Sequence, residues 1–167
     1  DHPGQAVLRR EDRLLADLNS AGLVGVLSHP ERNRGILNRP DVLWPLVERG
    51  CLMQVTAGSL TGVFGLHVQR FSELLVKQGL VHFIGTDAHG TKARSPMLGA
   101  AFDRVTELAG RETAVDLCCR HPAIVATGGM VRPRCREPTK TTWTGWFRRT
   151  FPSEHTLTRP IIGNARL

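Results

Sequence analysis

No apolar run in this sequence is long enough to cross a bilayer. The longest, "GLVGVL" and "GLVHFIG", have the length of strands and fall far short of the roughly 20 residues a membrane helix needs. A signal peptide is equally missing, because the opening "DHPGQAVLRRED" is polar and charged; since Asp1 rather than Met comes first, we expect that something upstream has been removed. The four cysteines, Cys51, Cys118, Cys119 and Cys135, have neither CxxC spacing nor regular intervals. That excludes a zinc ribbon and a secreted disulfide scaffold, and leaves a cytoplasmic chain with reduced thiols as the expectation. None of these cysteines is followed six positions later by arginine, so a cysteine-dependent phosphate-binding loop of the CxxxxxR kind is absent. The glycine-rich "TAGSLTGVFG" (56–65) matches neither GxxxxGK[ST] nor GxGxxG. We read it as a tight strand-to-helix connection, with a supporting role at the mouth of a site as the second reading.

What remains fits one ordinary domain. The chain has 167 residues, 41% of them hydrophobic, enough for one core and too few for two. Its net charge of +7 is uneven: residues 132–167 carry eight Arg or Lys against two Glu, while the preceding 131 residues are nearly neutral. The expected division is therefore a folded unit at 1–131 and a basic, Pro-containing, mostly disordered tail at 132–167. Such a tail can touch acidic lipid, nucleic acid or a phosphorylated partner. Its plain reading is a solvated extension, and no specific nucleic-acid recognition is expected.

Helical and strand patterns alternate. Residues 7–21 put Val7, Leu14, Leu18 and Ala21 on one helical face, with Gly22 as the stop. The pattern continues with a strand at 23–28, a helix opening at Pro40 with Val42, Leu43, Leu46 and Val47 inward, and a strand at 51–57. A helix at 67–78 through Val68, Phe71 and Leu75 follows, then a strand at 80–86. A helix at about 96–109, burying Leu98, Ala101, Phe102, Val105 and Leu108, a shorter one at 111–120 and a last strand at 123–129 complete it. This is the signature of an α/β protein with parallel strands and about four βα units. It fits half of a barrel or a whole small open sheet, and in either case chemistry belongs at the carboxyl ends of the strands.

His29, Asp87 and His89 fall at those ends. Asp87 and His89, two apart in "TDAH", point to one side if the strand continues through them. Carboxylate and imidazole together are good ligands for a divalent transition metal such as Mn, Fe or Zn, and His29 is a third candidate. Read singly, each is an ordinary hydrogen-bonding group near a strand end. Arg32 lies three residues after His29, and Arg94 seven after Asp87. Arginine forks match phosphate oxygens, so metal plus arginine points to phosphoryl chemistry; the plain alternative is a surface salt bridge, for example with Glu31 or Asp103. His67 and His82 are read as structural.

These residues also carry a family resemblance. "GLVGVLSHPERN", "LVERGCLMQVTAGSLTGVFG" and "LLVKQGLVHFIGTDAHGTKARSPML" resemble successive blocks of the bacterial PHP-domain protein-tyrosine phosphatases of the CpsB/YwqE type, associated with capsule and exopolysaccharide synthesis, from about residue 8 to about 128. The resemblance implies part of a distorted (β/α) barrel of the PHP type, with a cluster of divalent metal ions, commonly manganese. It implies hydrolysis of phosphotyrosine on a protein, a bacterial tyrosine kinase, by a metal-bound water rather than a cysteine. His29, Asp87 and His89 then resemble metal ligands, and Arg32 and Arg94 the phosphate-binding arginines. Glu31 is not needed as a catalytic acid. Family members also bear an HxH motif near the N-terminus, which Asp1 and His2 do not reproduce, so the chain resembles the carboxyl-terminal part of such an enzyme. Two other readings stand beside this one: a PHP phosphoesterase acting on a small monoester such as histidinol phosphate, and an inactive half-barrel serving as a binding module.

Overall fold

A computed structural model of the chain describes residues 13–90 and 97–132. Helix α1 occupies 13–20 and is followed by strand β1 (Val26–Ser28), a 3-10 turn (Pro30–Arg32) and the short α2 (Arg34–Asn38). A second 3-10 turn (Pro40–Val42) leads into α3 (Leu43–Glu48), and then come β2 (Leu52–Thr56), α4 (Ala57–Leu60), α5 (Leu66–Lys77) and β3 (Phe83–Gly85). The carboxyl-terminal helices are α6 (Leu98–Ala109), α7 (Arg111–Val115), a π-helical turn (Asp116–Arg120) and α8 (His121–Ala126). No helix among the described residues is long and apolar enough to cross a membrane.

The three strands form one parallel sheet in the order β1-β2-β3, with Ser28 opposite Gln54 and Thr56 opposite Gly85. Parallel pairing forces each connection to cross back over the sheet, so all three strands end on the same side. Leu52, Met53 and Val55 of the central strand are buried, as a strand covered on both faces requires, whereas Val26 on the edge strand β1 is exposed. Leu43 and Val47 from α3, Leu60 from α4, Phe71 and Leu75 from α5, and Ala101 and Val105 from α6 complete the core. Helix α5 packs against α4, α6 and the turn Pro30–Arg32. Glu73 on α5 ties it to α6, its Oε1 accepting from Arg104 Nε at 3.0 Å and Nη2 at 2.7 Å.

Three expectations change. The run "AIVATGG" is no strand: α8 covers its first four residues, and Ala123, Val125 and Ala126 are exposed. A short apolar run is ambiguous between strand and helix. Here the helix running from Arg111 decides it, because the widened π turn before α8 makes room for the Pro122 ring, which an α-helical interior would reject. The described residues therefore hold three strands and not four. In α1 the buried residue is Leu15, while Leu14 is exposed; Leu15 and Leu18 form the inward face, and their side chains are the ones a Cβ at Gly25 would meet. In α6 only Ala101 and Val105 are fully buried, and Leu98, Phe102 and Leu108 are half-covered. The tail from 133 onward lies outside the described residues.

His82 is structural, and its geometry carries a cost. The Met53 N–H donates to its Nδ1 at 3.1 Å, so its proton must sit on Nε2, which is buried without a partner. Burial, then the nearby His121, lowers its pKa to about 4. In the unfolded chain the ring titrates near 6.5, so the unfolded state takes up a proton first as pH falls. Stability is complete above about 6.5, declines between there and about 4, and the expected loss across that window is about 3 kcal/mol from this group. Urea unfolding at a series of pH values measures it; His82→Gln, which keeps an acceptor but cannot charge, is expected to flatten that part of the curve.

Candidate functional site

The site is assembled where β1 and β3 end. His29 extends the sheet by one bond, its N–H donating to the Gln54 carbonyl at 2.8 Å, and then turns the chain with φ 41° and ψ 52°. Proline at the first position of the next turn presets its backbone, and the Arg32 N–H closes that turn on the His29 carbonyl at 3.1 Å. Asn33 then caps α2, its Oδ1 accepting from the N–H groups of Gly35 and Ile36 at 2.9 and 3.2 Å. Asp87, after β3, also has positive φ, at 49°. His29 and Asp87 are the non-glycine residues with positive φ among those described. His and Asp tolerate this region better than most side chains, yet it still has to be held by surrounding contacts.

Glu31 supplies one such hold. Its side chain is wholly buried, and Oε1 accepts from the Thr56 N–H at 3.0 Å and from the Ser59 hydroxyl at 2.7 Å. These bonds stitch the turn after β1 to the end of β2 and to α4. Arg32, one residue on, has different partners. Its Nη2 donates to Asp87 Oδ2 at 2.6 Å, with both side chains about one-fifth exposed, and its guanidinium lies 4.7 Å from the centre of the Phe64 ring. His89 Nδ1 is 2.7 Å from the Asp87 carbonyl and 3.5 Å from Asp87 Oδ1. A carbonyl only accepts, so Nδ1 carries the proton and the neutral ring has its lone pair on Nε2.

The structure thus joins Arg32 to Asp87 and Asp87 to His89. His29 stands at the end of the outer strand, with β2 between it and β3. Arg94 lies outside the described residues. The salt bridge of Arg32 is made with Asp87, not with Glu31 or Asp103. Sequence reasoning set Glu31 aside and overlooked Ser59 and Phe64. The signal for Phe64 was its place as the one aromatic in "TAGSLTGVFG"; nothing in the sequence announced that Glu31 would be buried. Burial and then Cys119 push the Cys118 thiol up to about 11, which disfavours its thiolate form.

The donors suit a divalent ion in kind. A histidine whose Nδ1–H is spent on a carbonyl presents Nε2, the arrangement commonly found behind a metal-bound imidazole. In number they fall short: among the described residues no three His, Cys, Asp or Glu side chains stand close enough together to hold a metal. Asp87 and His89 would supply two of the three or four protein ligands usual for such a centre.

Residues 6–126 match the family described as capsular polysaccharide synthesis, CpsB/CapC. The tyrosine-protein phosphatase YwqE of Bacillus subtilis is 43% identical over 95 residues, which is 57% of this chain and 37% of that protein. A putative tyrosine-protein phosphatase CapC of Staphylococcus aureus is 34% identical over 62% of this chain and 40% of its own length. A solved structure described under YwqE from Bacillus subtilis and CpsB from Streptococcus pneumoniae, unique metal-dependent tyrosine phosphatases, superposes with a TM-score of 0.71 at 33% identity, over 77% of this chain and 53% of that one. The chain therefore spans about two fifths of the length of these curated relatives.

The burial of Glu31 makes a stability prediction. Glu31→Leu removes the acceptor and strands the Thr56 N–H in the interior, so urea unfolding is expected to show a loss of about 2 kcal/mol. Glu31→Gln, whose amide oxygen can accept in place of Oε1, is expected to stay within about 1 kcal/mol of the parent chain.

Proposed function

This chain belongs to the CpsB/CapC family of capsular polysaccharide synthesis proteins, and on that premise we propose that it carries the phosphate-binding side of a metal-dependent tyrosine-protein phosphatase acting in capsule or exopolysaccharide synthesis. The observation that carries the reading is the Arg32–Asp87 pair at 2.6 Å, which brings the loops after β1 and β3 to one place at the carboxyl ends of the strands. In this proposal the three-stranded sheet is part of a distorted (β/α) barrel of the PHP type within 1–131. The residues 132–167 form a basic tail outside it, and the chain works in the cytoplasm on a phosphotyrosine protein, a bacterial tyrosine kinase.

Asp87 and His89, together with His29, would belong to the ligand set of a divalent ion, manganese in our reading, which the described residues alone are too few to complete. Such an ion supplies Lewis acidity and a water acidic enough to attack phosphorus near neutral pH. Asp87 couples the two sides of the site: Oδ2 faces Arg32, while Oδ1 faces the His89 ring. The Nδ1–H bond to the Asp87 carbonyl keeps the lone pair of His89 on Nε2, the atom proposed to ligate. Arg32, together with Arg94, would bind the non-bridging oxygens of the phosphate and stabilise the charge that builds on them. Because its guanidinium is already seated between Asp87 and Phe64, Arg32 would lose little freedom when phosphate arrives.

One observation favours a second reading. With no three-donor group among the described residues, the chain would bind phosphate without turning it over, as a module of this fold.

Phosphate release from a phosphotyrosine peptide separates the readings. The phosphatase reading expects release that needs Mn and stops with a chelator, and that falls by about 100-fold or more in Arg32→Ala. Activity indifferent to chelation would sink it. Saturable binding of the peptide with no release at any metal concentration would instead support the binding module.

A further inference from the structure

The segment "TAGSLTGVFG" (56–65) has no assigned part in phosphate binding, yet it touches the Arg32 turn at both of its ends. At its start, the Thr56 N–H and the Ser59 hydroxyl hold the Glu31 carboxylate, fixing the backbone from which Arg32 projects. At its far end, the Phe64 ring lies 4.7 Å from the Arg32 guanidinium. The same ring passes close to Gly58: a Cβ added there would stand 3.2 Å from Phe64 Cε2 and 3.4 Å from Val63 Cβ. Gly58 is buried, so a side chain at that position would crowd Phe64 and disturb the ring beside Arg32. Arg32 Nε is itself buried without a partner, so the guanidinium is held by its Nη2 bond to Asp87 and by the ring face and not by a full set of hydrogen bonds.

We infer that residues 56–65 form the seat of Arg32, with Phe64 as a positioning residue that holds the guanidinium in its phosphate-binding pose and Gly58 as the gap that lets Phe64 take that place. A flat cation against an aromatic face keeps its plane fixed while its edge N–H groups stay available to an anion. Asp87 alone would fix one nitrogen and leave rotation about that bond. The inference deepens the proposed function and rests on Arg32 being the group that meets phosphate.

The test uses the full chain, labelled with 15N, and reads the Arg32 Nε–H resonance and the affinity for inorganic phosphate. In the parent chain the Arg32 proton is expected to show a ring-current shift from Phe64. Phe64→Leu should abolish that shift and weaken phosphate binding by about tenfold, whereas Phe64→Tyr, which keeps the ring, should retain both. Gly58→Ala should move the Arg32 resonance and lower the affinity in the same direction. A purely structural Phe64 would lower the melting temperature in Phe64→Leu and leave the affinity of the folded protein and the Arg32 resonance unchanged, which overturns the inference. Phosphate binding lost in Arg32→Lys but untouched in Phe64→Leu also overturns it while leaving the phosphate role of Arg32 intact. If the parent chain binds no phosphate at all, the role of Arg32 fails; a resonance that still follows Phe64 then upholds the seat as a structural fact, and one that does not overturns both.

Discussion

A carboxylate sealed inside the protein sets the shape of everything around the candidate site. Glu31 has no exposed surface, and an unpaired buried charge is among the most expensive things a fold can contain. Its Oε1 takes two donors, the Thr56 N–H and the Ser59 hydroxyl, and by doing so locks the turn after β1 onto the end of β2, while Oε2 is buried without a partner. A parallel sheet delivers its loops to one side but leaves their relative placement open. Here Glu31 closes that freedom, and its neighbours His29 and Arg32 are fixed as a consequence. The positive φ of His29 becomes tolerable for the same reason, since the residues after it cannot relax away.

Arg32 passes this rigidity on to the third strand. Its contact with Asp87 spans 55 positions in sequence and joins the edge strand's loop to that of β3 across β2. Such a pair on an open surface would contribute little, being screened and entropically costly. At one-fifth exposure, with an aromatic face beside the guanidinium, it is better sheltered and more sharply directed. The loops that meet through it hold all the described residues singled out for chemistry.

The alternation of helix and strand was legible because β2 is a mostly apolar run interrupted by Gln54 and α5 keeps a clear inward face through Phe71, Leu74 and Leu75. The expected strand at 123–129 misread the same kind of signal: a run of four small and branched residues has no period of its own, and the helix upstream determines its state. The slip from Leu15 to Leu14 in α1 has a related cause, since adjacent leucines leave the phase of a helix undetermined. In the site, the spacing of "SHPER" and "TDAH" located the loops, and the structure brings Arg32 and Asp87 together. The purpose of Glu31 was illegible because burial is a property of the folded environment. A Glu between a proline and an arginine reads as solvent-facing until the donors of Thr56 and Ser59, 25 and 28 residues away, are placed against it.

Charge balance explains why the arginine alone would be a poor phosphate site. Arg32 contributes one positive charge, and its partner Asp87 contributes one negative charge at 2.6 Å, so together the pair presents almost no net field to an arriving dianion. A phosphate approaching Arg32 also approaches a carboxylate, and that repulsion has to be offset from elsewhere. An ion bound through Asp87 would do so directly, since it would draw on the same carboxylate that now neutralises Arg32 and turn an inhibitory charge into a shared ligand. The proposed metal and the proposed arginine are then a single electrostatic unit, with Asp87 as its hinge and the Glu31 clamp as the reason its parts stay in reach.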